Sequence, residues 1–229
     1  MTPIDFITEL FCRVDDAMAD IPKHAQAVLW PGEIVTLGWL HALKGAGNRA
    51  FYRWLERDYR GLFPQLPERT RRFRLFKTHP AWTFQFLAQP TLLGIVDSFG
   101  IELIPPLREG RSPRQLGRKG LSNHRWIVGG QLCLVVNHLG GLTGWVWASA
   151  NAHDSWFHPI IEVFEHTTVV LGDTGFHAAT GDPSNLKVCR RGEWNDRRLI
   201  ETVLSMLTGV CHFKKVMHRV WNYFQARLA

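Results

Sequence analysis

The chain has 229 residues, of which 45% are hydrophobic and 21% are charged, and this composition is ordinary for a globular protein with a buried core. No apolar stretch approaches the roughly 20 residues that a transmembrane helix needs. The first residues also lack the basic and apolar regions of a signal peptide, so we expect a cytoplasmic protein. The cysteines are far apart, which argues against a zinc ribbon or a redox pair: Cys12, Cys133, Cys189 and Cys211.

The net charge of +7 is concentrated in two basic segments. Residues 49–77 contain nine Arg or Lys, and residues 108–125 contain six. Such segments suit a phosphate backbone, because neutralising phosphates releases condensed counterions. For either segment alone, a solvated surface without a polyanionic partner explains the charge as well. Two segments in a chain that also carries the acidic residues described below favour a nucleic-acid partner.

Residues 1–62 have the periodicity of helices. Apolar side chains recur at helical spacing over residues 4–14, and a second helix is predicted over residues 33–43 after a Pro-Gly break. A glycine-containing turn follows, and Asn48 is predicted to cap a third helix over residues 49–59. Two helices joined by such a turn have the outline of a helix-turn-helix, although plain helical hairpins share that outline.

The predicted third helix has a basic face. Arg49, Arg53 and Arg57 recur every fourth residue, whereas Phe51 and Leu55 lie on another side. We expect the three arginines to contact DNA. Residues 1–90 are therefore interpreted as a small helical, DNA-binding domain.

The pattern changes near residue 92. Residues 61–91 contain four prolines and predict a connector with one short helix near residues 82–87. Beyond it, strands first form a meander and then alternate with helices, which predicts an α/β fold with a mixed sheet flanked by helices. A loop is predicted over residues 103–119. The predicted strands are residues 92–99, 126–137, 143–150, 167–171 and 186–190, and the predicted helices are residues 154–165, 196–207 and 213–228.

Three acidic residues stand beside apolar runs. Asp97 follows Leu-Leu-Gly-Ile-Val, Asp173 follows Thr-Val-Val-Leu-Gly, and Glu201 follows Arg-Arg-Leu-Ile. A charge next to a buried run is costly unless something neutralises it, and Mg²⁺ and Mn²⁺ prefer carboxylate oxygens. If the three elements converge, the carboxylates predict a two-metal site for phosphodiester chemistry. Each residue alone also has an ordinary explanation, as a turn, a loop cap or a surface helix residue.

Several segments match the pattern of one family: residues 51–59 and 62–67, Val96-Asp-Ser-Phe, Asn151-Ala-His-Asp, Gly172-Asp-Thr-Gly and Arg197-Arg-Leu-Ile-Glu. On these segments, which are spread over most of the chain, it resembles bacterial insertion-sequence transposases of the DDE type. The third acidic region of that family often has the pattern Tyr-x2-Arg-x3-Glu-x6-Lys. Arg197 and Glu201 fit the pattern, whereas Trp194 and Thr208 occupy its Tyr and Lys positions.

The resemblance implies a ribonuclease-H-like catalytic domain in residues 91–229, in which Asp97, Asp173 and Glu201 are catalytic and bind two Mg²⁺ or Mn²⁺ ions. It implies cleavage of the insertion-sequence ends and transfer of the 3′-hydroxyl ends to target DNA. The implied partners are double-stranded DNA and a second copy of the chain in a synaptic homodimer. Residues of this domain that are expected to contact DNA are Arg111, Arg114, Arg118, Lys119, Arg125, Arg197 and Arg198.

Other interpretations stay open at this point. The chain ends sooner after Glu201 than relatives commonly do, which favours a catalytically dead or truncated remnant that only binds DNA. A metal-dependent nuclease would use the same carboxylates but would cut without joining. Asp154 or Ser155 is interpreted as the cap of the predicted helix over residues 154–165. Trp145 and Trp147 share one face of a predicted strand, where they either pack or stack on an unpaired base.

Overall fold

The structure, a computed structural model, describes residues 1–122, 124–190, 193 and 198–229. Within these residues the helices are α1 (Pro3–Ala17), α2 (Pro31–Lys44), α3 (Asn48–Asp58), α4 (Arg69–Thr78), α5 (His158–Glu162), α6 (Arg198–Gly209) and α7 (Trp221–Leu228). The strands are β1 (Leu93–Ile104), β2 (Arg118–Ser122), β3 (Arg125–Asn137), β4 (Leu142–Ser149), β5 (Val169–Gly172) and β6 (Leu186–Val188).

The chain divides into two compact units. The helical unit consists of Met1–Phe86 together with Trp221–Ala229, and the sheet unit consists of Leu87–Val220. The sequence interpretation instead placed one boundary at residue 90. It could not foresee that α7 packs with the helices at the other end of the chain, because helical periodicity does not reveal the partner of an apolar face. Among the described residues, no helix is long and apolar enough to cross a membrane.

The helical unit is held together by apolar side chains of its helices. Thr2 and Asp5 form a capping box that starts α1, and Gly45 ends α2 with a left-handed φ of 61°, which glycine adopts without strain. Phe51 and Leu55 of α3 are buried in a cluster that also contains residues of α1, α2 and α4. Asn48 is the first residue of α3 and Gly47 precedes it as the cap, so the prediction of Asn48 as the cap was wrong.

Helix α4 lies in a segment for which a connector was predicted. Its sequence, Arg-Thr-Arg-Arg-Phe-Arg-Leu-Phe-Lys-Thr, contains few apolar residues. Arg72 is nevertheless fully buried, and its guanidinium lies 4.9, 5.0 and 4.5 Å from the ring centroids of Phe51, Tyr52 and Phe73. Burial lowers the pKa of Arg72 to about 10. Stacking on aromatic rings thus lets an arginine occupy a core position, which a hydrophobic pattern cannot reveal.

The sheet unit contains a mixed sheet. β3 and β4 pair antiparallel beside β1, and β5 and β6 continue the sheet on the other side of β1 in the parallel direction. β2 and β4 pair with successive halves of β3, along the edge opposite β1. The predicted mixed α/β sheet flanked by helices is therefore confirmed.

Different helices pack on the two faces of this sheet. On one face, which we call the α5 face, Val96, Cys133 and Val135 pack against residues of α5 and of the adjoining short 3-10 helices. On the other, the α6 face, Ile95 and Val136 pack against Ile200 of α6. Side chains alternate between faces along a strand, so β1 and β3 each contribute to both layers.

Several predicted elements differ from the structure. β1 continues to Ile104, and β2 lies partly in the segment predicted as a loop. Helix 154–165 is instead a 3-10 turn, Asp154–Phe157, followed by the short α5. The helix predicted over residues 213–228 forms only from Trp221, because the chain before it pairs with β1 through Glu102 and Lys215. Such a long-range pairing leaves no local signal in the sequence.

Candidate functional site

Asp97 and Asp173 occupy neighbouring positions of two parallel strands. The pairing of β1 with β5 runs from Leu93 and Val169 to Ile95 and Leu171, and each aspartate lies two residues beyond the last pair. Along this edge of β1, pairing among the described residues resumes only at Glu102. Asp97 and Asp173 therefore lie where the pairing of β1 with β5 has ended, at an opening in the sheet.

Asp97 lies on the α6 face, and Asp173 lies just after the neighbouring strand. Asp97 pairs with Leu134 of β3 and has the same parity as Ile95, which packs on α6. Asp173 directly follows Gly172, the last residue of β5, and caps the 3-10 turn after it. Both residues are half-buried, so an ion or a substrate phosphate can reach carboxylates that are still partly shielded from water.

Local hydrogen bonds orient the two carboxylates. Asp97 Oδ1 accepts a 2.7 Å bond from the Ser98 amide, and Asp173 Oδ1 accepts a 2.8 Å bond from the Gly175 amide. The second bond caps the 3-10 turn Thr174–Phe176, which starts directly after β5. A backbone N–H that donates to a carboxylate favours one rotamer of that side chain.

Asp154 is a third carboxylate at this place, and the sequence interpretation missed it. Its Oδ1 accepts a 2.5 Å hydrogen bond from Ser98 Oγ and a 2.9 Å bond from Gln131 Nε2. A Cβ on Gly175 would lie 2.7 Å from Asp154 Oδ2 and 3.0 Å from Asp173 Oδ1, so both carboxylates converge on Gly175. The residue that caps the turn is His153, whose side chain accepts from the Ser155 amide, and the cap predicted at Asp154 was wrong.

The electrostatics follow from this convergence. Burial raises the pKa of Asp154, the hydrogen bond from Ser98 lowers it in part, and the charge of Asp173 raises it further. Burial raises the pKa of Cys133 well above its usual value, and the charges of Asp154 and Asp97 add to the shift. The site therefore has an excess of negative charge, which a cation or a basic DNA-binding surface would offset.

Glu201 lies in the first turn of α6 and is exposed. Its neighbour Ile200 is the buried residue that anchors α6 to Ile95 and Val136, so Glu201 belongs to the helix that covers the same face as Asp97. Among the described residues, no group of three or more His, Cys, Asp or Glu side chains is arranged to hold a metal ion. The structure thus brings Asp154 and Asp173 together at Gly175, connects Asp154 to the residue after Asp97, and leaves Glu201 outside a ligand set.

The basic residues predicted in the sheet unit lie at its surface. Arg111 and Arg114 are exposed in the loop before β2, and Arg118, Lys119 and Arg125 are exposed on the β2–β3 hairpin. Arg125 lies 3.9 Å from the carboxylate of Glu102, which also pairs with Lys215 at 3.2 Å. Arg198 is exposed at the start of α6, and Arg197 lies outside the described residues.

The basic residues predicted in the helical unit also face solvent. Arg49, Arg53 and Arg57 are exposed on α3, away from the buried Phe51 and Leu55. Arg57 is bound by its neighbour Asp58, through bonds of 2.6 Å from Nε and 2.8 Å from Nη2. This pairing raises the pKa of Arg57 and lowers that of Asp58, and it leaves Arg49 and Arg53 as the better placed phosphate contacts.

Comparisons with protein-family models, with curated proteins and with solved structures each give no match to this chain.

Proposed function

We propose that this protein is a DNA transposase of the DDE type, which cleaves the ends of its insertion sequence and joins the 3′-hydroxyl ends to target DNA. The observation that carries the proposal is that Asp97, on the α6 face, and Asp173 each lie two residues beyond the last pair of the parallel strands β1 and β5. Glu201, the third residue of the expected set, lies on the helix that packs over this face.

The strand arrangement supports a ribonuclease-H-like fold for the sheet unit. Such folds have an antiparallel meander of three strands, extended beside the first strand by two parallel strands. Here β1, β3 and β4 form the meander, and β5 and β6 follow beside β1 in the parallel direction. The β2–β3 hairpin is an addition to that arrangement.

The residues fit a hard divalent cation such as Mg²⁺ or Mn²⁺. Mg²⁺ commonly takes one or two protein carboxylates and keeps several waters, and Asp97 and Asp173 offer two carboxylates from adjacent strands. When bound, such ions activate the attacking oxygen and stabilise the leaving oxygen of a phosphodiester. The hydrogen bonds from the Ser98 and Gly175 amides orient the two carboxylates, and Asp154 adjoins both of these residues.

The basic surface would hold the DNA for this chemistry. Phosphate contacts fix the register of a duplex without reading its sequence. In the sheet unit the residues available for them are Arg111, Arg114, Arg118, Lys119, Arg125 and Arg198, all exposed, and in the helical unit they are Arg49 and Arg53. Joining two ends requires two active sites, so a homodimer on paired DNA ends belongs to the proposal.

A cleavage and joining assay tests the proposal. The substrate is a labelled duplex that carries the sequence flanking the gene, incubated with Mg²⁺ or Mn²⁺. We expect nicked and joined products with the wild type and at least a 100-fold loss with Asp173→Asn, while the exposed Asp20→Asn retains wild-type activity. Nicking without joined product would overturn the transposase in favour of a nuclease.

A non-catalytic DNA-binding protein is the second candidate. The exposed position of Glu201 and the lack of an assembled metal-ligand group among the described residues favour it. This candidate predicts tight binding to the same duplex by wild type and by Asp173→Asn, with no nicking by either protein. Metal-dependent nicking that Asp173→Asn removes would exclude it.

A further inference from the structure

The β2–β3 hairpin presents two large apolar side chains to solvent. Leu121 and Trp126 are directly opposite each other in the register of the two strands, and they are 56% and 58% exposed. Directly opposed residues share one face of a sheet, so the two side chains form a single patch. A paired apolar patch of this kind on a strand surface is typical of a binding surface.

The surroundings of the patch are cationic. Lys119 has the same parity as Leu121 in β2, and its Nζ lies 5.2 Å from the centroid of the Trp126 ring. Arg118 and Arg125 are exposed on the same hairpin. An aromatic face next to positive charge matches the chemistry of an unpaired nucleotide, whose base stacks while its phosphate is neutralised.

The patch lies on the sheet face of the candidate active site. Trp126 and Leu134 are eight residues apart in β3 and therefore point to the same face, and Leu134 pairs with Asp97. At a rise of about 3.3 Å per residue the separation along β3 is about 26 Å. Duplex DNA advances about 3.4 Å per base pair, so this distance corresponds to roughly eight base pairs.

We propose that Trp126, supported by Leu121 and Lys119, stacks on an unpaired base at the end of a DNA molecule that lies along the α6 face. This inference deepens the proposed function, on which it rests for the identity of the ligand as DNA. It assigns the contact to Trp126 rather than to Trp145 or Trp147, which are only half-exposed. The ring of Trp147 in addition lies where a side chain on Gly130 would be.

The test measures binding and needs no catalysis. The full-length protein is titrated, without divalent metal, with two labelled duplexes that differ only in a short single-stranded extension carrying 2-aminopurine. We expect the wild type to prefer the extended duplex and to quench the 2-aminopurine. Trp126→Ala lowers the affinity for the extended duplex by roughly 5- to 100-fold and abolishes the quenching, whereas Trp126→Phe keeps most of both.

Trp156→Ala is the matched control, since Trp156 is 56% exposed in the same unit and lies in the 3-10 turn next to α5. We expect this variant to bind like the wild type. Wild-type binding by Trp126→Ala would overturn the proposal, and so would an equal loss for blunt and extended duplexes. A change in self-association by Trp126→Ala, with DNA binding intact, would make the patch an interface between copies and also overturn it.

The binding test and the cleavage assay can overturn the two proposals independently of each other. Asp173→Asn should keep the preference for the extended duplex, because the mutation leaves the hairpin unchanged. If the wild type quenches the 2-aminopurine but never cuts DNA, the transposase proposal is wrong and the stacking proposal stands. If the wild type cuts and joins DNA but Trp126→Ala binds the extended duplex normally, the transposase proposal stands and the stacking proposal is wrong.

Discussion

Ser98 Oγ donates a 2.5 Å hydrogen bond to Asp154 Oδ1, and this bond links β1 to the 3-10 turn before α5. Ser98 directly follows Asp97, and its amide donates to the Asp97 carboxylate. One serine therefore holds two aspartates at once, through its backbone and its side chain. Gln131 of β3 donates to the same Asp154 oxygen and to Ser98 Oγ. Asp154 is thus built into the site rather than placed at a helix end.

Asp154→Asn should stabilise the protein at neutral pH. The amide oxygen can still accept from Ser98 and Gln131, while the cost of burying a charge disappears. Because the folded pKa of Asp154 is raised above 3.8, the wild type loses stability as pH rises from about 3.8 through the folded pKa. We expect the variant to melt higher at pH 7, with a shift of roughly 2–4 °C per kcal/mol, and the difference to vanish at low pH.

The same variant should lose activity. Partners behind the ligands of a site commonly contribute 10- to 100-fold to activity, so we expect a loss of about that size in the cleavage assay. A stabilised but inactive Asp154→Asn would match the exchange of stability for function. Equal melting temperatures across the pH range would contradict the electrostatic part of the argument, since they would mean that Asp154 carries no burial penalty.

Gly175→Ala should impair the site without unfolding the chain. The added Cβ would meet Asp154 Oδ2 at 2.7 Å and Asp173 Oδ1 at 3.0 Å, and rotation of both carboxylates relieves the contact. We expect at least a tenfold loss of cleavage with secondary structure retained in circular dichroism.

Gly38→Ala is the control for the glycine substitution. Gly38 lies within α2, and a Cβ there meets nothing within 4 Å. This variant should gain about 0.5–1 kcal/mol from helix propensity and keep full activity. Full activity of Gly175→Ala would mean that the two carboxylates do not have to converge.

The sequence predicted those parts of the fold that local patterns determine. Continuous apolar runs located β1, β3 and β5, and turn residues located the hairpin between β3 and β4, where Gly140 has a φ of 82°. The same runs placed Asp97 and Asp173 beside buried segments, so their equivalent positions beyond the pairing followed once the two strands paired in parallel.

Parts that depend on long-range contacts could not be predicted. Arg72 is a core residue only because three rings surround it, and β2 is a strand only because β3 pairs with it. Asp154 resembles an ordinary cap in sequence, and its role depends on Ser98 and Gln131, which come from two different strands. A polar residue whose partners are distant carries no periodic signal.

Arg53 and Arg57 should differ in their contribution to DNA binding. Both are exposed on α3, but Arg57 is already bound to Asp58 by two hydrogen bonds. We expect Arg53→Gln to weaken binding to a duplex and to reduce the slope of log K against log salt by about 0.9. Arg57→Gln should change the slope by clearly less. Equal slopes for the two variants and the wild type would remove α3 from the DNA-binding surface.

Two substitutions of Arg72 distinguish the effect on stability of burying a charge from the effect of filling the core. Arg72→Met keeps a long side chain against Phe51, Tyr52 and Phe73 and removes the charge, so we expect stability equal to or above that of the wild type. Arg72→Ala removes the contacts with all three rings and should cost about 2–5 kcal/mol by leaving a cavity. Urea unfolding of both variants measures the difference. If Arg72→Met were as unstable as Arg72→Ala, the cation itself, through its contacts with the rings, would be what holds α4 in place.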